Sequence, residues 1–115
     1  MKHGAIFHNG RCVLPKVKRT TNVWDRARGL LGRPRLETGE GLLIDPCPSV
    51  HTIGMGYPLD LVFLDADFRV LKLIDALPPL RFAGCRNARA TLELAPGSLA
   101  ALSLELGGRL EWQTV

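Results

Sequence analysis

Leu59-Asp60-Leu61-Val62-Phe63-Leu64, followed by Asp65-Ala66-Asp67 and the run from Arg69 to Ile74, is the stretch whose reading decides the fold. Six residues apolar on both faces, interrupted only by Asp60, describe a strand covered on two sides, hence a central one. Asp65 to Asp67 are turn formers, so the chain is expected to return through Arg69–Ile74 as the second arm of a hairpin. Pro78-Pro79 then ends that unit.

Downstream, Ala90 to Leu94 reads as another strand, with Leu92 and Leu94 on one face and Thr91 and Glu93 on the other. Pro96-Gly97 turns the chain, Ser98 is placed to cap a short helical turn through Leu99 and Leu102, and Gly107-Gly108 leads into a last strand with Leu110 and Trp112 alternating. Upstream, Asn9-Gly10 between Ile6-Phe7 and Cys12-Val13-Leu14 is a strong hairpin signal. Pro15 limits the second arm, which puts Val17 on an edge strand or in a bent segment.

One helix stands out, from about Val23 to Leu31. Asn22 is its cap, with Asp25 three residues on. Val23, Ala27, Leu30 and Leu31 share one apolar face, Trp24 reads as a core residue or helix anchor, and Gly32 and Pro34 stop the helix. Together these elements predict an α+β, mainly β domain over residues 1–115: a compact curled, antiparallel-rich sheet or partial barrel with one packed helix and a short helical turn.

Length and composition agree. The 115 residues are 46% hydrophobic and 23% charged, ordinary for a folded domain. No apolar run reaches the roughly 18 residues that span a bilayer. Met1 to Asn9 lacks the apolar stretch of a signal peptide, which sets a cytoplasmic expectation. Cys12, Cys47 and Cys85 are odd in number and lack CxxC spacing, so reduced thiols are expected rather than a disulfide framework. The net charge of +4 is uneven: up to Leu36 nine bases face Asp25 alone, and the rest of the chain holds six bases against ten acids. Such a split marks either an anionic partner or a solvated face.

Three segments carry a family resemblance. Arg28-Gly29-Leu30-Leu31-Gly32-Arg33 with Gly41-Leu42-Leu43-Ile44 comes first, then His51-Thr52-Ile53-Gly54-Met55 leading into Pro58 to Asp65, and then Leu92-Glu93-Leu94-Ala95-Pro96-Gly97. In this order, across about Val17 to Trp112, they resemble the prokaryotic "domain of unknown function 192" family. The resemblance implies no particular activity. Many of its members look exported and carry a Phe-Trp-Met-Lys-Asn-Thr type of segment where this chain has His51 to Gly56. The chain keeps Met55, departs at the aromatic position, and is similar to a shorter, leaderless branch.

The candidate chemistry centres on His51, whose near-neutral pKa suits proton transfer and which is expected in a loop before the central strand. Asp60, a carboxylate on an apolar strand, must be paired, hydrogen-bonded or kept protonated. It could accept backbone amides or pair with Arg28. Glu93 is a third candidate, although its alternation with leucines is compatible with a solvent-facing side chain. Arg28 and Arg33 could hold an anionic substrate. His51, Met55, Asp60, Arg28, Arg33 and Glu93 form the candidate ligand-binding set of a small binding or accessory module for a small-molecule or protein partner.

The alternatives are a small hydrolase or isomerase using His51 with Asp60 or Glu93, and binding of nucleic acid or an acidic partner through the basic first third. Cys47 and His51 stand four apart, but no second Cys/His pair completes a metal site. Gly39-Glu40-Gly41 and Gly54-Met55-Gly56 lack the lysine of a P-loop and the third glycine of a dinucleotide fingerprint, so no cofactor is expected. No RRM, KH or helix-turn-helix pattern supports nucleic acid.

Overall fold

The computed structural model describes the whole chain, Met1 to Val115. Its strands are β1 (Lys2–His8), β2 (Arg11–Arg19), β3 (Glu40–Ile44), β4 (Ser49–His51), β5 (Leu59–Leu64), β6 (Val70–Leu77), β7 (Phe82–Gly84), β8 (Ala90–Leu94) and β9 (Glu111–Thr114). Two short helices complete it, α1 (Val23–Arg28) and α2 (Ser98–Leu102). Seven strands form one sheet in the order β6-β5-β8-β3-β2-β1-β9, and β4 pairs with β7 as a separate ribbon. Every pairing is antiparallel except β2 with β3.

The apolar run at Leu59–Leu64 forms β5, an interior strand buried along its whole length between β6 and β8. Its two faces belong to two cores. Val62 and Leu64 join Ile6, Leu14, Leu43, Leu92 and Leu110 on the concave side of the sheet. Leu59, Leu61 and Phe63 join Leu30, Leu42, Ile44 and Tyr57 on the convex side. The curl brings the sheet's ends together: Arg69 bridges Arg109, Val70 N–H donates to the Gly108 carbonyl at 2.8 Å, and Leu110 N–H donates to the Phe68 carbonyl at 2.9 Å. The architecture is thus the mainly β, curled α+β arrangement read from the strand pattern.

Several local expectations are corrected. The second arm of the first hairpin runs through Pro15 to Arg19, because the register slips between Gly4↔Val17 and Ile6↔Leu14 and leaves Pro15 and Lys16 together opposite Ala5. A bulge is where a residue without an N–H does least harm to a ladder. Val17 is consequently an interior residue, buried between β1 and β3 rather than at an edge. The helix ends at Arg28, where Gly29 (φ 54°) leaves helical geometry, and none of its own residues is buried. Trp24 is 81% exposed; the apolar anchor is Leu30, just past the helix end. His51 lies on β4, paired with Phe82, instead of in a loop. Ser98 does not cap α2, whose N-cap is Gly97.

The cap of α1 forms as expected: Asn22 Oδ1 accepts from the Asp25 N–H at 2.8 Å. Asp25 in turn accepts from the Thr21 backbone N–H, which holds its carboxyl below the usual carboxylate range. Since α1 has no buried face, this cap is a main support of its first turn. Asn22→Ala is expected to cost about 1 kcal/mol locally, read as roughly fivefold faster hydrogen exchange at the Arg26 and Gly29 amides. Unchanged exchange there would contradict that role.

Candidate functional site

Residues directly opposite across strands share a face. Glu93 on β8 stands opposite Leu42 of β3 and Leu61 of β5, so it lies on the convex face, within an apolar sheet. That face is covered by chain segments distant in sequence. The turn after α1 approaches from one side, and Cys47, the β4–β7 ribbon and Met55 approach from the other. Glu93 is therefore only 4% exposed, and the expectation of a solvent-facing side chain is overturned. Burial pushes its carboxyl up to about 7, and no charge or hydrogen bond enters as a further cause. No lysine or arginine lies within ion-pair distance of it.

Glu93 looks into a cavity of about 80 Å³. Arg28, Cys47, His51 and Met55 also line this cavity, so four of the six sequence candidates converge. Gly29 at its wall has a left-handed φ of 54°, and a Cβ there would come within 3.8 Å of Glu93 Oε1. That is an ordinary contact distance, so the glycine serves the positive φ of the helix stop and not the spacing to the carboxyl. Arg28 bends back to cap its own turn, its Nε donating to the Leu31 carbonyl at 2.9 Å and its Nη2 to the Gly32 carbonyl at 3.3 Å.

His51 at the rim is exposed, its ring 6.2 Å from that of Phe82, itself 75% exposed. The ribbon that carries His51 is pinned by Thr52, whose buried hydroxyl donates to the Pro78 carbonyl at 2.7 Å and accepts from Arg81 N–H at 2.9 Å. Cys47 is a wall residue outside the candidate set read from sequence. Its thiol donates to the Ser49 carbonyl at 2.8 Å, its carbonyl accepts from the Thr91 hydroxyl at 2.8 Å, and burial raises its pKa. A thiol so held is a poor nucleophile.

The structure takes the other two candidates elsewhere. Asp60 stands opposite Leu94, on the concave face, so it does not meet His51 or Glu93. It is fully buried and accepts from the Ala76 N–H at 2.8 Å and the Leu99 N–H at 2.9 Å. This is the backbone-amide arrangement weighed from its sequence context, and it excludes pairing with Arg28. Arg33 lies across a different cleft, beyond Leu30, with its Nε donating to the Gly29 carbonyl at 2.8 Å.

A curled, mainly β sheet with a buried acid on each face and a small cavity over one of them defines the class of protein: a small α+β sheet domain with a pocket on its convex side. The chain belongs to the domain of unknown function 192 family, described as an uncharacterised ACR, whose model matches residues 6–112. It is 40% identical over 65 residues to a UPF0127 protein of Pyrococcus furiosus, a match spanning 56% of this chain and 55% of that protein. Among solved structures it is similar to a provisionally assigned transcription regulator from Sinorhizobium meliloti 1021, with a TM-score of 0.81 and 23% identity over 96% of this chain and 92% of that one. A protein of unknown function from Novosphingobium aromaticivorans DSM 12444 has a TM-score of 0.76 and 23% identity, covering 96% of this chain and 84% of that one. At such identities the likeness speaks for the fold alone. No helix is long and apolar enough to cross a membrane.

Proposed function

We propose that this domain is a non-catalytic binding module that accepts the neutral polar end of a small molecule in the Glu93 cavity. The observation that carries the reading is Glu93 itself: a carboxyl more than nine-tenths buried, facing a cavity, with no partner in the protein. Its oxygens open onto the cavity instead of onto protein donors, and a carboxyl so placed on an otherwise apolar face points to a ligand or another use. Near neutrality the carboxyl is partly protonated, and a protonated carboxyl both donates and accepts. A hydroxyl or a primary amide complements that pair of functions. A cation is disfavoured by Arg26 and Arg28 in the cavity wall.

The volume holds an end group and not a whole ligand, since drug-sized molecules occupy roughly 300–1,000 Å³. The remainder of the ligand would lie over the rim at His51 and Phe82. Met55 suits such a wall, because its flexible thioether adapts to irregular shapes. The reading is tested by amide-shift titration with acetamide and glycerol at pH 6 and pH 8. Saturable shifts at Gly29, Cys47, His51 and Met55 are expected at pH 6 and weaker ones at pH 8, kept in Glu93→Gln and lost in Glu93→Leu. Shifts that survive in Glu93→Leu, or none with either probe, would remove the proposal.

The same raised pKa favours a second reading, general acid–base catalysis by Glu93 with His51. The two differ on one variant. Glu93→Gln cannot transfer a proton, so catalysis predicts a turnover that this variant loses, whereas the binding module shows no turnover in either protein and keeps its ligand shifts in the variant.

A further inference from the structure

Four basic residues of the first third gather around a second, larger cleft of about 340 Å³. One wall is the outer face of β2 and β3, where Lys16 pairs with Glu40 and Lys18 with Leu42. The other is the strap from Leu30 to Leu36, bearing Arg33 and Arg35. The strap is fixed in place. Leu30 is buried in the convex core, the Leu36 N–H donates to the Tyr57 hydroxyl at 3.1 Å, and the Arg35 guanidinium stacks 4.6 Å over the Tyr57 ring.

None of Lys16, Lys18, Arg33 and Arg35 has an acidic partner. The one acidic side chain at the cleft, Glu40, turns its Oε1 to the Glu37 N–H at 2.7 Å. Between the cations the cleft is apolar, with Leu36, Pro15 and Pro34 accessible along it and Leu30 and Leu42 buried at its floor.

We infer that this cleft is a binding site for a small organic anion with an apolar body, of the medium-chain carboxylate class. A bare cation cluster would attract any anion, and an apolar groove any hydrocarbon; the juxtaposition selects for both features in one molecule. Four cations against the single side-chain carboxylate of Glu40 favour the anionic head, while the apolar lining removes the chain from water. The volume falls within the range of small-molecule sites, unlike that over Glu93. The site shares only Leu30 with the Glu93 pocket, and shifts at Leu36, Gly41 and Leu42 distinguish it, so either reading can fail without the other.

The test is an amide-shift titration with octanoate, octylamine, inorganic phosphate and a short single-stranded RNA, each at low and high salt. Octanoate is expected to give saturable shifts at Leu30, Leu36, Gly41 and Leu42, weakened at least about fivefold in Lys16→Gln/Lys18→Gln and again by salt. Both lysines are exposed, and the variant's spectrum reports whether its fold is intact; Arg35→Gln provides an independent second variant. Octylamine and phosphate should leave those amides unmoved. Octylamine binding as well as octanoate would reduce the cleft to a greasy surface, and phosphate doing so would reduce it to a cation cluster. RNA displacing octanoate would reassign it to polyanions. Each of these results, or an unresponsive cleft, overturns the inference.

Discussion

Stability is expected to fall by about 3 kcal/mol between pH 4.5 and pH 7.5, and Glu93→Gln is expected to abolish that fall. The unfolded chain ionises Glu93 at its ordinary 4.5, whereas burial holds the folded carboxyl protonated up to about 7. Below 4.5 both states are protonated and Glu93 carries no penalty. Between 4.5 and 7 the folded state binds the extra proton, so unfolding becomes easier as pH rises. Above 7 both states are ionised and the full desolvation cost of a buried carboxylate remains. At about 1.4 kcal/mol for each tenfold, the gap amounts to roughly 3 kcal/mol.

Urea titrations of both proteins across this range give the answer. The amide variant should match the parent at pH 4 and exceed it by most of that amount at pH 8, since a glutamine side chain has no charge to desolvate. Parallel curves for the two proteins would mean that Glu93 is solvated in solution. Such a cost at neutral pH is what a residue retained for binding is expected to show, because a leucine in its place would suit the apolar sheet better.

The fold was largely legible because its decisive signals are local. The β5–β6 hairpin follows from an apolar run and three turn residues, the first hairpin from Asn9-Gly10, and the start of α1 from Asn22 and Asp25. What was not legible depends on coverage by distant chain. Thr91 and Glu93 alternate with leucines in the manner of a half-exposed strand, and nothing near them tells that the turn after α1 and the β4–β7 ribbon will seal that face. The ribbon has only three residues per strand, below any periodicity signal. The parallel β2–β3 pairing crosses more than twenty residues, so Val17 could not be read as interior. Trp24 misled because apolar bulk suggests burial, while a six-residue helix standing off the sheet has no core to offer it.

Of the candidate site, His51, Met55, Arg28 and Glu93 share a cavity although they come from three separate segments, and family-like motifs were the only sign linking them. The charge asymmetry of the first third was visible as a count; that Lys16, Lys18, Arg33 and Arg35 surround a single cleft follows from the strap crossing β2 and β3.

Asp60→Ala is expected to be the most damaging of these substitutions, lowering stability by about 4 kcal/mol and the melting temperature by about 15 °C. Gly97 at the N-cap of α2 has no side chain to offer, so the first amides of the helix need an acceptor from elsewhere. Asp60 provides it from across the concave core by accepting the Leu99 N–H, and its other oxygen accepts from Ala76, whose φ of 49° marks a strained backbone. One carboxylate therefore fastens both a helix start and an irregular point of β6. Removing it leaves two N–H groups that point at a fully buried position unsatisfied, each costing about 1–3 kcal/mol. Asp60→Asn keeps one acceptor and points an amide donor at the other N–H, so about half that loss is expected. Hydrogen exchange locates the effect: Leu99 and Ala76 should lose protection before the β5–β8 ladder does. A melting temperature within about 3 °C of the parent, or protection lost uniformly, would show that Asp60 does not hold α2 to the sheet.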